Sequence, residues 1–418
     1  MTFIDHGMSR RRFLSSAGAL AAGAALPRLL FATTGTSARL VVVILRGALD
    51  GLAAVPPHGD PAYAALHRDL AIAPPGEAEG ALPLDSTFGL HPSLEFLHGR
   101  HAAGELIVLH AVASPYRDRS HFDGQNVLES GLTRPLGTAD GWLNRALASL
   151  GAGPERSEQA VAISQNVPLI LRGDRQVLSK SPTTTPDVDG ELLARLEDLY
   201  SKDDWFSARL SEAVQSERYT DLVAAERSDA TPIVMSGAQA MQPAPNRDGL
   251  HAAALIAAAI MKSDGGPEIA VMEASGWDTH ANQGGAKGTL AQRLKILDSA
   301  LGTLGAELGD LWSRTALLVI TEFGRTAAMN GTRGTDHGTG GCAFLAGGAV
   351  QGGRVIADWP GLAPSALLDA RDLRPTLDLR SALKGVLHEH LHIDTRTLEA
   401  RVFPDSGAAR ALSGIMRA

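Results

Sequence analysis

Apolar residues in this chain gather in short unbroken runs, each ending at glycine or polar residues. Leu40–Leu45, Leu106–Val112, Val161–Ser164, Ile269–Ala274 and Ala316–Thr321 are the five runs. Without polar alternation, they predict strands buried on both faces, as in parallel sheets. Between them the apolar spacing becomes helical, over Glu191–Glu226 (broken), Gly249–Lys262, Thr289–Trp312 and Leu379–Leu391. In the last, Leu379, Leu383, Val386, Leu387 and Leu391 mark one face. This alternation predicts an α/β fold: a doubly wound, mostly parallel sheet with helices on both faces. Phe344–Ala346 and Arg354–Ile356, separated by Gly347-Gly348, predict a small hairpin at the sheet edge within 342–358. Residues 173–190 and 227–246 are polar or proline-rich and read as surface loops. Neither forces a boundary, so 38–418 is expected to be one domain.

Composition narrows the function classes. With 38 Lys+Arg against 46 Asp+Glu and a net charge of −8, the chain has no general attraction for nucleic acid. Hydrophobic residues at 44% and charged ones at 20% exclude a disordered chain. A single cysteine, Cys342, excludes an internal disulfide and a cysteine-based zinc site.

At the N-terminus, Ser9-Arg10-Arg11-Arg12-Phe13-Leu14 precedes a soft apolar run from Ala17 to Leu26, too short to span a bilayer. The pattern resembles a twin-arginine export signal, expected over 1–33. No later stretch is apolar enough to cross a membrane, so the expected destination is the periplasm or the extracellular space. The first 32 residues carry Arg10, Arg11, Arg12 and Arg28 against Asp5, so their removal leaves a more acidic chain.

Ligands of open α/β sheets bind beyond the carboxyl ends of the strands. The polar residues that stand out occur there: Asp50, Ser120-His121-Phe122-Asp123, Asp278 and His280, Glu322, then Asp336-His337 in a glycine-rich loop. Histidines and carboxylates from separate strand ends can make an N/O site for a divalent metal. Each residue also has a plainer role. Asp50 before Gly51 suits a turn, Ser120 suits a helix cap, and Glu322 can pair with Arg325 or Arg333. Their convergence is what favours a site.

The stretches Leu45–Gly51, Arg119–Gln125, Gly276–His280, Thr321–Thr326 and Gly334–Gly338 resemble the DUF1501 family of exported bacterial proteins. The resemblance extends through Asp358-Trp359-Pro360-Gly361 to Arg374-Pro375-Thr376. The family is similar to the alkaline phosphatase and sulfatase superfamily, which implies an alkaline-phosphatase-like fold. By position, Asp50 matches that superfamily's first metal-ligand Asp and Ser120 its nucleophile region. Asp278 and His280 match its middle pair, Glu322 a later Asp, and His337 the final His. Phe323 stands where a His ligand is usual, which puts a second metal position in doubt. Ala113, not Cys or Ser, lies two residues before Pro115, so the formylglycine sulfatase signature is not met.

The resemblance implies a metal-dependent hydrolase of phosphate or sulfate esters, acting on a small-molecule or glycan substrate. Asp278, His280 and His337 are expected to hold one divalent ion (zinc, or calcium, magnesium or manganese). Asp50 and Glu322 hold a second or orient the first, with Asp336 beside His337 and His121 an alternative ligand. Ser120 or a water is the nucleophile, and Arg46, Arg119 or Arg325 clamps the anion. A transferase acting on an envelope glycan would share the site. The rival reading is a non-catalytic exported binding or assembly factor with a DUF1800 protein as partner.

Overall fold

The run Leu40–Leu45 forms β1 (Arg39–Arg46), and its side chains alternate between two cores. Leu40, Val42 and Ile44 enter one, and Val41, Val43 and Leu45 the other. Burial on both faces is why the run carries no polar alternation. The computed structural model describes residues 38–150, 159–182, 247–263 and 265–417. The expected export signal, the expected helix Glu191–Glu226 and the expected loop 227–246 lie outside the described residues.

The other strands are β2 (Leu82–Pro83), β3 (Gly89–Leu90), β4 (Leu106–Ala113), β5 (Ala160–Ile163), β6 (Leu178–Lys180), β7 (Ile269–Ser275), β8 (Thr315–Thr321), β9 (Gly341–Ala346), β10 (Arg354–Ile356) and β11 (Leu377–Asp378). Strands β2 and β3 pair with each other. The rest form one nine-stranded sheet in the order β10-β4-β9-β8-β1-β7-β5-β6, with β11 also on β4. β1 is parallel to β7 and β8. β6 occupies part of the stretch read as a loop at 173–190, pairing parallel with β5.

The expected edge hairpin is corrected. β9 lies inside the sheet, antiparallel to both β4 and β8, whereas β10 lies on the far side of β4 and runs parallel to it. The reason is burial. Cys342, Phe344 and Ala346 enter one core while Ala343 and Leu345 enter the other, and β4 and β8 take up both hydrogen-bonding sides.

Helices cover both faces. α1 (Gly51–Ala54) and α2 (His121–Ser130) follow β1 and β4. α3 (Trp142–Ser149) packs through Trp142, Leu143, Ala146 and Leu147 into one core. α4 (Arg247–Lys262) and α5 (Thr289–Leu308) pack into the other through Ala253, Ala257, Leu294, Leu297 and Leu301. α5 stops short of Trp312 because Gly309 takes a positive φ of 54° and a 3-10 turn follows. α6 (Leu379–Glu389) returns to the first core through Leu379, Leu383, Val386 and Leu387. Among the described residues, no helix is long and apolar enough to cross a membrane.

One buried histidine shapes β4. The His110 Nε2 lies 3.0 Å from the Val55 carbonyl, and the Ala111 N–H donates to Nδ1 at 2.7 Å. These partners keep the ring neutral with its proton on Nε2. The bond to its own neighbour accompanies a positive φ of 51° at Ala111 and the register shift between His110 and Val112. Burial pushes the His110 pKa down to about 4. Its folded-state pKa therefore lies below the unfolded value, so its stabilising effect is present above about pH 6.5 and is lost as pH falls through about 4. Equilibrium denaturation of His110→Gln at pH 7 and 4.5 should show an acid-induced loss about 2 kcal/mol smaller than that of the parent. An equal loss in both proteins would contradict this account.

Candidate metal centre

The site lies at the carboxyl ends of β1, β7 and β8. Gly47 lets these ends meet: at φ +118° it passes so close to the next loop that a Cβ would lie 2.7 Å from the Asp278 nitrogen. Beyond β7 the chain presents Asp278 and His280, and beyond β8 it presents Glu322. The loop leading to β9 brings Asp336 and His337, and the start of α2 brings His121.

Three imidazoles are oriented in the same way. Nδ1 of His121 lies 2.8 Å from Glu322 Oε1, Nδ1 of His280 lies 3.1 Å from Asp336 Oδ1, and Nδ1 of His337 lies 2.9 Å from the Arg119 carbonyl. Each acceptor takes a proton from Nδ1, which leaves Nε2 as the lone-pair side. His121, Asp278 and His337 each offer a ligand atom within 4.8 Å of the others. His280 Nε2 joins them, 3.0 Å from both His337 Nε2 and Asp278 Oδ1. The His121 Nε2 is buried, 3.4 Å from Asp278 Oδ2, and makes no hydrogen bond among the described residues. Lone pairs held this close need a proton or a cation between them. A set of three imidazoles and one carboxylate therefore fits a divalent ion.

Electrostatics follow from these partners. The Glu322 hydrogen bond raises the His121 pKa, whereas burial lowers that of His337. Burial also pushes the Asp278 carboxyl up, but the Arg325 hydrogen bond and the charges of Arg325, His280 and His121 bring it below its ordinary value. Glu322 is likewise held low against burial, chiefly by its hydrogen bond with His121.

The expected residues divide into two groups. His121, Asp278 and His337 come together and His280 touches two of them, whereas Asp50 and Glu322 form no second group among the described residues. Asp50 caps α1 through the N–H groups of Leu52 and Ala53, and its other oxygen accepts from Gln283 at 2.7 Å. Buried Glu322 accepts from Gly47 N–H, Gln125, Thr321 and His121, so it orients His121. Asp336 does the same for His280 and accepts from Asn330 at 2.9 Å. Phe323 stacks on His121 at 5.0 Å.

The three arginines expected to clamp an anion are already engaged. Arg46 donates to Gln125, Glu129 and Glu273. Arg119 pairs with Asp369 and Asp372. Buried Arg325 donates to Asp278 at 2.5 Å and to Thr335. Each is balanced by the chain's own acceptors and positions a neighbour. Ser120 precedes α2 without a side-chain cap bond, so its hydroxyl is not spent on the helix.

Sequence reasoning missed Gln125, Gln283, Asn330 and Thr335, the polar residues that hold the acids. One of them had a signal: Gln125 lies four residues after His121, on the same helical face. Cys342 is buried, and burial pushes its thiol pKa up.

Residues 37–402 match the family described as "Protein of unknown function (DUF1501)". The chain belongs to the DUF1501 family. No curated protein matches this DUF1501 member. Solved structures that are similar at low identity include the following three. The Ps i-CgsB in complex with k-i-k-neocarrahexaose is 10% identical, covering 86% of this chain and 72% of that one, with a TM-score of 0.40. The lipoteichoic acid synthase LtaP of Listeria monocytogenes is 10% identical, covering 86% and 73%, with a TM-score of 0.37. A protein in the alkaline phosphatase superfamily from Vibrio parahaemolyticus is 14% identical, covering 75% and 62%, with a TM-score of 0.29.

Proposed function

We propose that this protein is an exported hydrolase of phosphate or sulfate esters that uses one divalent ion. The observation that carries the reading is the convergence of three imidazole Nε2 atoms on Asp278, with every Nδ1 turned away onto a fixed acceptor. His121, Asp278, His280 and His337 would hold the ion, and this donor set suits zinc. When bound, the ion supplies positive charge at the ester oxygen and lowers the pKa of a bound hydroxyl or water.

The chain's own residues do the rest. Glu322, Asp336 and the Arg119 carbonyl keep the three rings turned inward. Arg325 fixes Asp278 from below, where no solvent reaches it. Ser120 is the nucleophile of this scheme, placed where the amides at the start of α2 favour developing negative charge. Because Arg46, Arg119 and Arg325 are engaged, the ion is the main positive charge offered to an anionic substrate.

Metal analysis of the purified protein, run with phosphate monoesters, diesters and sulfate esters, tests this reading. About one divalent ion per chain and chelator-sensitive turnover of at least one ester are expected. Absence of both overturns it. A stoichiometric metal without turnover transfers the case to the binding-factor reading.

A further inference from the structure

α2 presents one face beside the metal centre. Phe122, Gln125, Asn126 and Glu129 follow one another at helical spacing and line a cleft of about 400 Å3. The opposite wall is the segment after β5, including Asn166 and Arg172. Phe122 is 88% exposed, a large apolar ring left in water on a polar surface.

The cleft is polar but electrically balanced. Arg46 and Arg172 face Glu129 and Glu273, and Arg46 is bonded to both carboxylates. Its surplus is in hydrogen bonding. Asn126 spends its Oδ1 on the Leu136 N–H, while its NH2 group and the Asn166 side-chain amide have no partner among the described residues. A flat aromatic face, uncommitted amides and no net charge match a neutral sugar. Its C–H face packs on a ring and its hydroxyls take and give hydrogen bonds.

The cleft also connects with the metal centre. Arg46 donates to Gln125 at 2.9 Å, Gln125 donates to Glu322 at 3.1 Å, and Glu322 accepts from His121 at 2.8 Å. We infer that the cleft between α2 and the segment after β5 binds an uncharged glycosyl unit, with Phe122 as its stacking platform. Placing that sugar on the ester substrate rests on the hydrolase reading, whereas the binding itself does not.

Calorimetry on the full chain with chelator present separates the two. The probes are cellotetraose, maltotetraose and N-acetylchitotetraose. Saturable binding of at least one is expected, weakened about tenfold in Phe122→Ala. Leu136→Ala, which removes an exposed apolar side chain outside the cleft, should bind as the parent does. His337→Ala should also bind the sugar normally, because it changes only the metal centre. No saturable binding of any probe, or equal binding by Phe122→Ala, overturns the inference. Sugar binding without metal or ester turnover leaves it standing and removes the hydrolase reading.

Discussion

His337→Ala is expected to lose the bound ion and ester turnover together, with turnover falling about a thousandfold or more. Its Nε2 lies 3.0 Å from His280 Nε2 and 3.3 Å from Asp278 Oδ1, so its loss opens the centre of the cluster. The ring is partly exposed and, among the described residues, its one hydrogen bond outside the cluster goes to the Arg119 carbonyl, so the fold should hold. That makes it a cleaner test than Asp278→Ala, which also strips buried Arg325 of its carboxylate. Metal content, turnover and thermal unfolding, measured on one preparation, decide the matter. A variant that keeps both its ion and its activity would remove His337 from the site.

The second large effect belongs to Glu322. Its side chain is wholly buried and accepts from Gly47, Gln125, Thr321 and His121. Glu322→Ala leaves these donors unpaired in the interior and should cost about 3–5 kcal/mol of stability. Glu322→Gln keeps the volume but loses the charge that orients His121. Metal affinity at neutral pH should fall about 10–100-fold, the usual cost of losing such a partner. The pH dependence has a definite sign. Glu322 raises the His121 pKa, so its removal should move the acid edge of metal binding to lower pH. A purely structural role would leave that edge in place. The stabilising effect of Glu322 itself is present above its unfolded pKa and is lost as pH falls through its depressed folded value. Urea denaturation and metal titration across pH would show both effects.

Much of the fold was legible in the chain. Strands β1, β4, β5, β7 and β8 fall on the five apolar runs, because a strand buried on both faces must be apolar throughout. α4 and α6 fall where the apolar spacing placed them, since a helix packed on a sheet needs one apolar stripe. β9 was legible as a strand but not as an interior one. Six residues say that both faces are buried, but only the packing of β4 and β8 says between which neighbours.

The site divides along the same line. By itself the sequence determined which polar residues stand at the strand ends: Asp50, His121, Asp278, His280, Glu322, Asp336 and His337. It did not separate the group that converges from the acids that orient it. Only the tertiary structure decided that. Asp50 is spent on capping α1 and on Gln283, and Glu322 on His121, because their oxygens meet donors from distant parts of the chain. The direction in which an imidazole offers its lone pair depends on what its other nitrogen touches. For His121 that partner lies 201 residues away, and for His337 it lies 218 residues away. No local pattern encodes such a contact, because folding creates it.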